Sequence, residues 1–251
     1  MATRSFKQAL NLRWRRIWLP RLRRRALFVV GGVFVGLAAV AMAFMADGAQ
    51  HLFRMAQHQW PYLPLLITPA GFALLAWVTQ RYFNGAQGSG IPQVIAARQM
   101  TDLKAKQKLV SPKLAVAKMF LLSAGLLLGA SAGREGPTVQ VGASVMFWLG
   151  RFAPHRQPGL LLAGAAGGVA AAFNAPLAGI VFGIEEMSRS FELRTSGLVL
   201  GTVIVAGLTS LAILGDYTYF GRSAVTLEIG AQWIAVPVVG LVCGLAGGGF
   251  S

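Results

Sequence analysis

The chain is poor in the residues that most soluble enzymes and secreted domains depend on. It has one cysteine, Cys243, three histidines and only 8 acidic residues among 251. A single cysteine in an apolar segment excludes an intrachain disulfide and a cysteine metal site. His51, His58 and His155 stand at scattered spacing near loops and read as interfacial. There is no His-Glu-x-x-His, no Walker loop and no cysteine ligand set, so neither a metalloenzyme nor an ATP-driven pump is implied. Charge of either sign is scarce at 12%, while hydrophobic residues make up 55% and glycines number 31. Residues 26–46 carry no charge at all. That is about 30 Å of helix, enough to cross a bilayer. The composition therefore specifies a multi-pass, all-α membrane protein. The basic start is long and leads into a full-length span, unlike a cleavable signal.

The net charge of +15 is unevenly placed. Arg4, Lys7, Arg13, Arg15, Arg16, Arg21, Arg23, Arg24 and Arg25 precede the first span, and Arg98, Lys104, Lys106, Lys108 and Lys113 share one later loop. Basic clusters beside spans mark the cytoplasmic side and can touch anionic headgroups. No soluble domain presents this charge, so it does not read as a nucleic-acid footprint. Residues 1–25, with Trp14 and Trp18, form a basic amphipathic start suited to the membrane surface. The membrane domain occupies 26–251, beginning with a span over 26–46 and a polar turn containing Asp47, Gln50, His51, Arg54 and His58. A second span follows over 62–83. A cytoplasmic N-terminus then places the basic loop at 98–113 inside as well, and the protein in the cell membrane.

Beyond that loop the apolar segments become irregular. Residues 91–100 are too short to cross, 113–131 can cross but contain Lys118, and 137–150 make only about 20 Å of helix. Residues 159–173 and 176–188 are split at Asn174-Ala175-Pro176, where proline ends a helix and disfavours it just before. Further spans are predicted over 196–214 and 232–250. Half-length helices are tolerated at membrane depth only when buried in protein or lining a cavity, and transporters use them to aim helix N-termini at an anion. The pairs Gly32/Gly36, Gly164/Gly168, Gly179/Gly183 and Gly240/Gly244, with Gly125/Gly129/Gly133, have the small-xxx-small spacing of packed membrane helices.

Two segments carry chemistry. In Gly88-Ser89-Gly90-Ile91-Pro92, glycines permit unusual backbone angles and proline suits a first helical turn. A serine hydroxyl and free N–H groups there could solvate an anion without trapping it. The same serine could equally be a plain helix cap. In Gly133-Arg134-Glu135-Gly136-Pro137, Gly136 and Pro137 start a short helix with Glu135 just before it. A carboxylate at that depth is expensive, and it sits where the positive end of a helix attracts anions. Deprotonated, it would occupy an anion's position; protonated, it would swing away. A simple capping role, with Glu135 paired to Arg134, is the alternative. Gly129-Ala130-Ser131-Ala132-Gly133 matches a nucleophile elbow, but it lies at the end of a membrane helix with no histidine base within plausible reach, so no enzyme is inferred.

Together these motifs resemble the first two selectivity-filter segments of the CLC chloride channel and transporter family. The run Gly164-Ala165-Ala166-Gly167, then Phe173-Asn174-Ala175-Pro176-Leu177-Ala178-Gly179 and Glu185-Glu186-Met187, is similar to the family too. The resemblance implies an inverted-repeat membrane fold, this chain covering mainly the first repeat and the start of the second. It implies proton-coupled chloride transport, with chloride and protons as transported ions and no cofactor. Ser89 would donate to the central chloride near Gly90 and Ile91, Glu135 would be the gate and outer proton acceptor, and Glu186 the inner proton-transfer acid of the antiporter branch. Channel members lack that last acid, which makes a passive chloride channel the alternative. Serine in the first motif favours chloride, since nitrate-preferring relatives carry proline there. A homodimer and contact with membrane lipids are also implied.

Glu185 and Glu186 point about 100° apart on a helix, so only one can face a given proton route. Glu185 could pair with Arg189, or both acids could belong to a solvated helix end with Glu192 and Arg194. Lys118 aligns with a buried lysine of the family, or it snorkels to the interface. The sequence contains no Gly-x-Phe-x-Pro segment, and Tyr217 and Tyr219 cannot take the role of the family's pore-closing tyrosine. The expectation is therefore a truncated chain or a natural fragment with an incomplete site, which leaves a transport-inactive membrane piece as a third reading.

Overall fold

In a computed structural model the chain is described over residues 2–185, 193–215 and 230–250, with side chains except those of 2–20, 193–196 and 231–232. Every regular element among the described residues is a helix. The chain forms two units, Met1–Tyr219 and Phe220–Ser251.

The first unit opens with α1, Ala2–Gln59, a single helix of 58 residues. The expected polar turn at 47–58 is thus helical. That stretch contains no proline, and Gly48 alone does not stop a helix; the chain turns only at Trp60-Pro61-Tyr62. The remaining helices are α2 (Leu63–Tyr82), α3 (Ile91–Gln99), α4 (Leu103–Gln107), α5 (Pro112–Leu127), α6 (Glu135–Gly150), α7 (Gln157–Phe173), α8 (Pro176–Glu185) and α9 (Leu193–Leu214). Helix α4, inside the basic loop, was not anticipated. Asp102 caps it by accepting from the N–H groups of Lys104 and Ala105. Among the described residues, four stretches are long and apolar enough to cross a membrane: Arg21–Gln59, Leu63–Tyr82, Leu103–Leu127 and Gly197–Leu214.

Two of the helices too short to span are the ones most enclosed by protein. Helices α6 and α7 have 16 and 17 residues, about 25 Å each, and most of their side chains are buried. Val139, Ala143 and Phe147 of α6 pack with Leu161, Ala165 and Val169 of α7 and with Val94 and Ala97 of α3. Met146 and Leu149 pack on the other side with Phe28, Val35 and Ala39 of α1 and Ala206 of α9. Short helices inside a protein jacket meet the bilayer's demand that no lipid-exposed backbone polar group be left unpaired.

Glycine makes this packing close. A β-carbon on Gly142 would strike the carbonyl oxygen of Gly164, and one on Gly164 would strike that of Gly142. On Gly168 it would come within 2.6 Å of the Thr138 carbonyl oxygen. Gly32 and Gly36 let α1 approach α9, where added β-carbons would stand 2.9 Å from Thr202 O and 2.7 Å from Ala206 O. Gly179 does the same for α8 against Ala166 O, at 2.5 Å. The small-xxx-small pairs of this unit outside 125–133 are therefore helix contacts, as their spacing indicated. The break between α7 and α8 is the expected one: Asn174 takes φ 54° and Pro176 opens the next helix. In the second unit, a 3-10 turn, Ala231–Ile234, leads into α10, Ala235–Phe250, which carries Cys243 on an exposed position.

Candidate anion site

The serine-bearing loop is built between the end of α2 and the start of α3. After Tyr82 the chain makes a 3-10 turn, Asn84–Ala86, and then rises through Gln87 and Gly88 to Gly90. Gly88 and Gly90 have φ of 60° and 94°, angles that other residues rarely adopt. Gly90 is the N-cap of α3, with Ile91 and Pro92 its first residues. Ser89 lies one position before the cap, so it is not the capping residue of the simpler reading. Its hydroxyl oxygen accepts a long 3.4 Å bond from the Ile91 N–H, and the residue is exposed.

What holds this loop is Lys118 of α5. It is buried, and its Nζ donates to the carbonyl oxygens of Ala86 at 2.7 Å, Gly88 at 2.5 Å and Gln87 at 3.4 Å. The lysine therefore does not snorkel to the interface. Three carbonyl groups replace its water, a geometry that fits an ammonium with three donors. Gln93 donates its Nε2 to the same Gln87 carbonyl at 2.7 Å.

The second motif begins α6. Helix α6 starts at Glu135, with Arg134 as its N-cap at φ −91°, one turn-position earlier than the sequence suggested. Arg134 is 6% exposed and turns away from Glu135. Its Nη1 donates to Asp47 Oδ1 at 3.0 Å and to the Ala43 carbonyl at 3.4 Å, both on α1. Its own carbonyl accepts from Thr138, from the N–H at 3.0 Å and the Oγ1 hydroxyl at 2.6 Å. The expected alternative, a local Arg134–Glu135 pair, is thus replaced by a bridge between helices. Glu135 is half-buried, and its Oε1 is enclosed with no hydrogen-bond partner. Its other oxygen folds back over Gly133, where an added β-carbon would push the carboxylate aside. Gly136 and Pro137 follow as the next residues of the first turn.

The two motifs meet. A β-carbon on Gly136 would stand 2.9 Å from Ser89 Cβ and 3.2 Å from the Ser89 carbonyl oxygen. Only glycine lets the start of the Glu135 helix lie this close to the serine loop. Two helix N-termini, α3 and α6, are so brought to one place, each with unpaired N–H groups and the positive end of a dipole. Such an arrangement can hold an anion without a formal positive charge. Beside Glu135 a cleft of about 490 Å³ is lined by Gln50, Phe53 and Arg54 of α1 and by residues 129–133. Ser131 lies in its wall, in the link between two helices, with no strand among the described residues to make a nucleophile elbow.

Glu186 lies outside the described residues, as do Arg189, Glu192, Tyr217 and Tyr219. Glu185 is the last residue of α8 and is exposed. Sequence reading missed Gln140, which is fully buried and lies against Gly90. A lone amide in an otherwise apolar short helix was the available signal.

A family model described as "Voltage gated chloride channel" matches residues 71–251. The H(+)/Cl(-) exchange transporter ClcA of Yersinia pestis bv. Antiqua (strain Angola) is 35% identical over 213 residues, 80% of this chain and 42% of that protein. The protein of the same name from Citrobacter koseri is 33% identical over 240 residues, 87% of this chain and 48% of its own length. The chain thus spans less than half the length of these curated relatives. Among solved structures, a slow cyanobacterial Cl-/H+ antiporter aligns with a TM-score of 0.72 at 24% identity, over 90% of this chain and 55% of that one. A CLC-type fluoride/proton antiporter gives the same TM-score and identity over 93% and 57%. These likenesses give the fold, a CLC membrane architecture of broken and half-length helices, of which this chain covers mainly the first repeat. From the family model and the relatives together, the chain belongs to the voltage-gated chloride channel family.

Proposed function

We propose that this chain provides the chloride-binding and gating elements of a proton-coupled chloride exchanger. The observation that carries the reading is the close approach of Gly136 to Ser89, which brings the first turn of the Glu135 helix against the serine loop, together with a Glu135 Oε1 that is enclosed without a partner. Chloride sits at the meeting of α3 and α6, where the Ser89 hydroxyl and backbone N–H groups donate to it. Deprotonated Glu135 competes for that place on the dipole of α6. A proton taken up by Glu135 removes its charge, the side chain leaves, and chloride enters. Glu186 passes the proton to and from the inner face. The basic N-terminus and the 98–113 loop lie in the cytoplasm, and the protein works in the cell membrane as a homodimer. The names of the relatives, H(+)/Cl(-) exchange transporters, support exchange over passive conduction.

The test is reconstitution of the chain in vesicles with an imposed chloride gradient, reading proton and chloride movement together. Wild type drives proton uptake. Glu135→Ala loses proton coupling and retains a chloride flux that no longer responds to pH. Glu186→Gln stops proton movement while chloride still moves. Chloride flux without proton movement in wild type would establish a channel, and neither movement would establish a transport-inactive membrane segment.

A further inference from the structure

Gln140 is 0% exposed on α6, and neither motif contains it. Its amide nitrogen is fully engaged: Nε2 donates to the Gly85 carbonyl at 2.7 Å and to the Leu109 carbonyl at 2.8 Å. Both neighbours are acceptors, so only the NH₂ end can face them, and its two hydrogens match the two partners. Oε1 is left buried without a partner and points at Gly90, where a β-carbon would stand 2.7 Å from it and 2.6 Å from Gln140 Cβ. A buried orphan acceptor is costly and rare. One side chain thus ties the Glu135 helix to the serine loop at its base, through Gly85, and at its tip, through Gly90. The carbonyls of Ala86, Gln87 and Gly88, between those points, are taken by Lys118. The acceptor oxygens of residues 85–88 are therefore all drawn to fixed donors, which keeps their negative ends off any anion at Ser89.

We infer that Gln140 is a positioning residue that fixes the serine loop in register with the gate helix and thereby sets which anion the site prefers. The inference rests on the anion site proposed above. With the amide removed, Gly85 and Leu109 lose their donor and the loop is free to turn carbonyl oxygens toward the anion. Discrimination then falls, because it depends on a fixed set of donors at fixed spacing.

The experiment measures calorimetric binding of chloride and of nitrate to the purified chain in lipid nanodiscs, for wild type, Gln140→Met and Gln140→Glu, with melting curves in parallel. Methionine keeps the volume and removes the donors. Glutamate keeps the shape, and its protonated form restores one donor. The expected result is a chloride-to-nitrate affinity ratio at least threefold lower in Gln140→Met. In Gln140→Glu the ratio is closest to wild type in acid, where the side chain keeps a donor for the two carbonyls, and falls as the pH is raised through neutral into alkali, a response that a purely structural role would not give. A folded Gln140→Met with an unchanged ratio overturns the role of Gln140 and leaves the anion site standing. Should that variant not fold, a Gln140→Glu ratio that equals wild type at every pH from acid to alkali overturns it equally. Wild type that binds no chloride removes the anion site and this inference with it.

Discussion

Replacing Lys118 with methionine tests whether the serine loop is held as described. The ammonium has two close acceptors, Ala86 O at 2.7 Å and Gly88 O at 2.5 Å, and a third at 3.4 Å. Methionine fills similar space but leaves two well-bonded carbonyls without a donor. Each orphaned buried acceptor costs about 1–3 kcal/mol. Against this stands the relief of no longer burying a charge, which is substantial. The two acceptors together cost roughly 2–6 kcal/mol, and the relief lowers the net loss to roughly 1–4 kcal/mol. For a chain of this size that corresponds to a fall of about 3–15 °C in melting temperature. Detergent-solubilised protein heated in steps and followed by size-exclusion fluorescence gives the melting curve. Amide hydrogen exchange gives the locality, and protection should fall first over residues 84–90. Lys118→Arg, which keeps the charge and adds donors on a longer fork, should lose less than methionine does. A methionine variant that melts within 1–2 °C of wild type and exchanges normally at 84–90 would refute the clamp.

Two further substitutions probe the packing and the interhelical bridge. Gly164→Ala pushes a methyl into the Gly142 carbonyl and should cost about 1–3 kcal/mol by forcing α6 and α7 apart, whereas Gly240→Ala, in α10, should be neutral or slightly stabilising; equal melting temperatures for the two would contradict the backbone contact. Arg134→Ala should destabilise more than Asp47→Asn, because Arg134 is nearly enclosed whereas the Asp47 side chain is 64% exposed and an asparagine oxygen can still accept; the reverse order in thermal unfolding would show the bridge to be misjudged.

Most of the fold was legible because its signals are local. Charge-free length marks the spans, and α2 follows the expected 62–83 closely. Proline at 176 and asparagine at 174 mark the break between α7 and α8, and the half-length segments 137–150 and 159–173 are the enclosed helices α6 and α7. The polar residues 47–58 misled because polarity at a membrane boundary looks the same in a turn as in a helix leaving the bilayer. The start of α6 moved by one residue because Arg134 takes near-helical angles as the cap, which composition does not reveal. Both candidate motifs were visible as glycine-flanked sequences. Their meeting was not, because it depends on a glycine at 136 facing a serine on another element.

Composition and periodicity alone determined that this is a helical membrane protein with broken helices, and they singled out Ser89 and Glu135 as the costly or unusual groups. Those conclusions depend on each residue's own solvation and backbone freedom, which travel with the sequence. Only the tertiary structure decided the partners: Arg134 to Asp47 rather than Glu135, Lys118 inward to three carbonyls rather than out to the interface, and Gln140 across to Gly85 and Leu109. The physical reason is that a buried polar group takes whichever acceptor or donor the packing brings within about 3 Å, and that choice belongs to segments far apart in the chain.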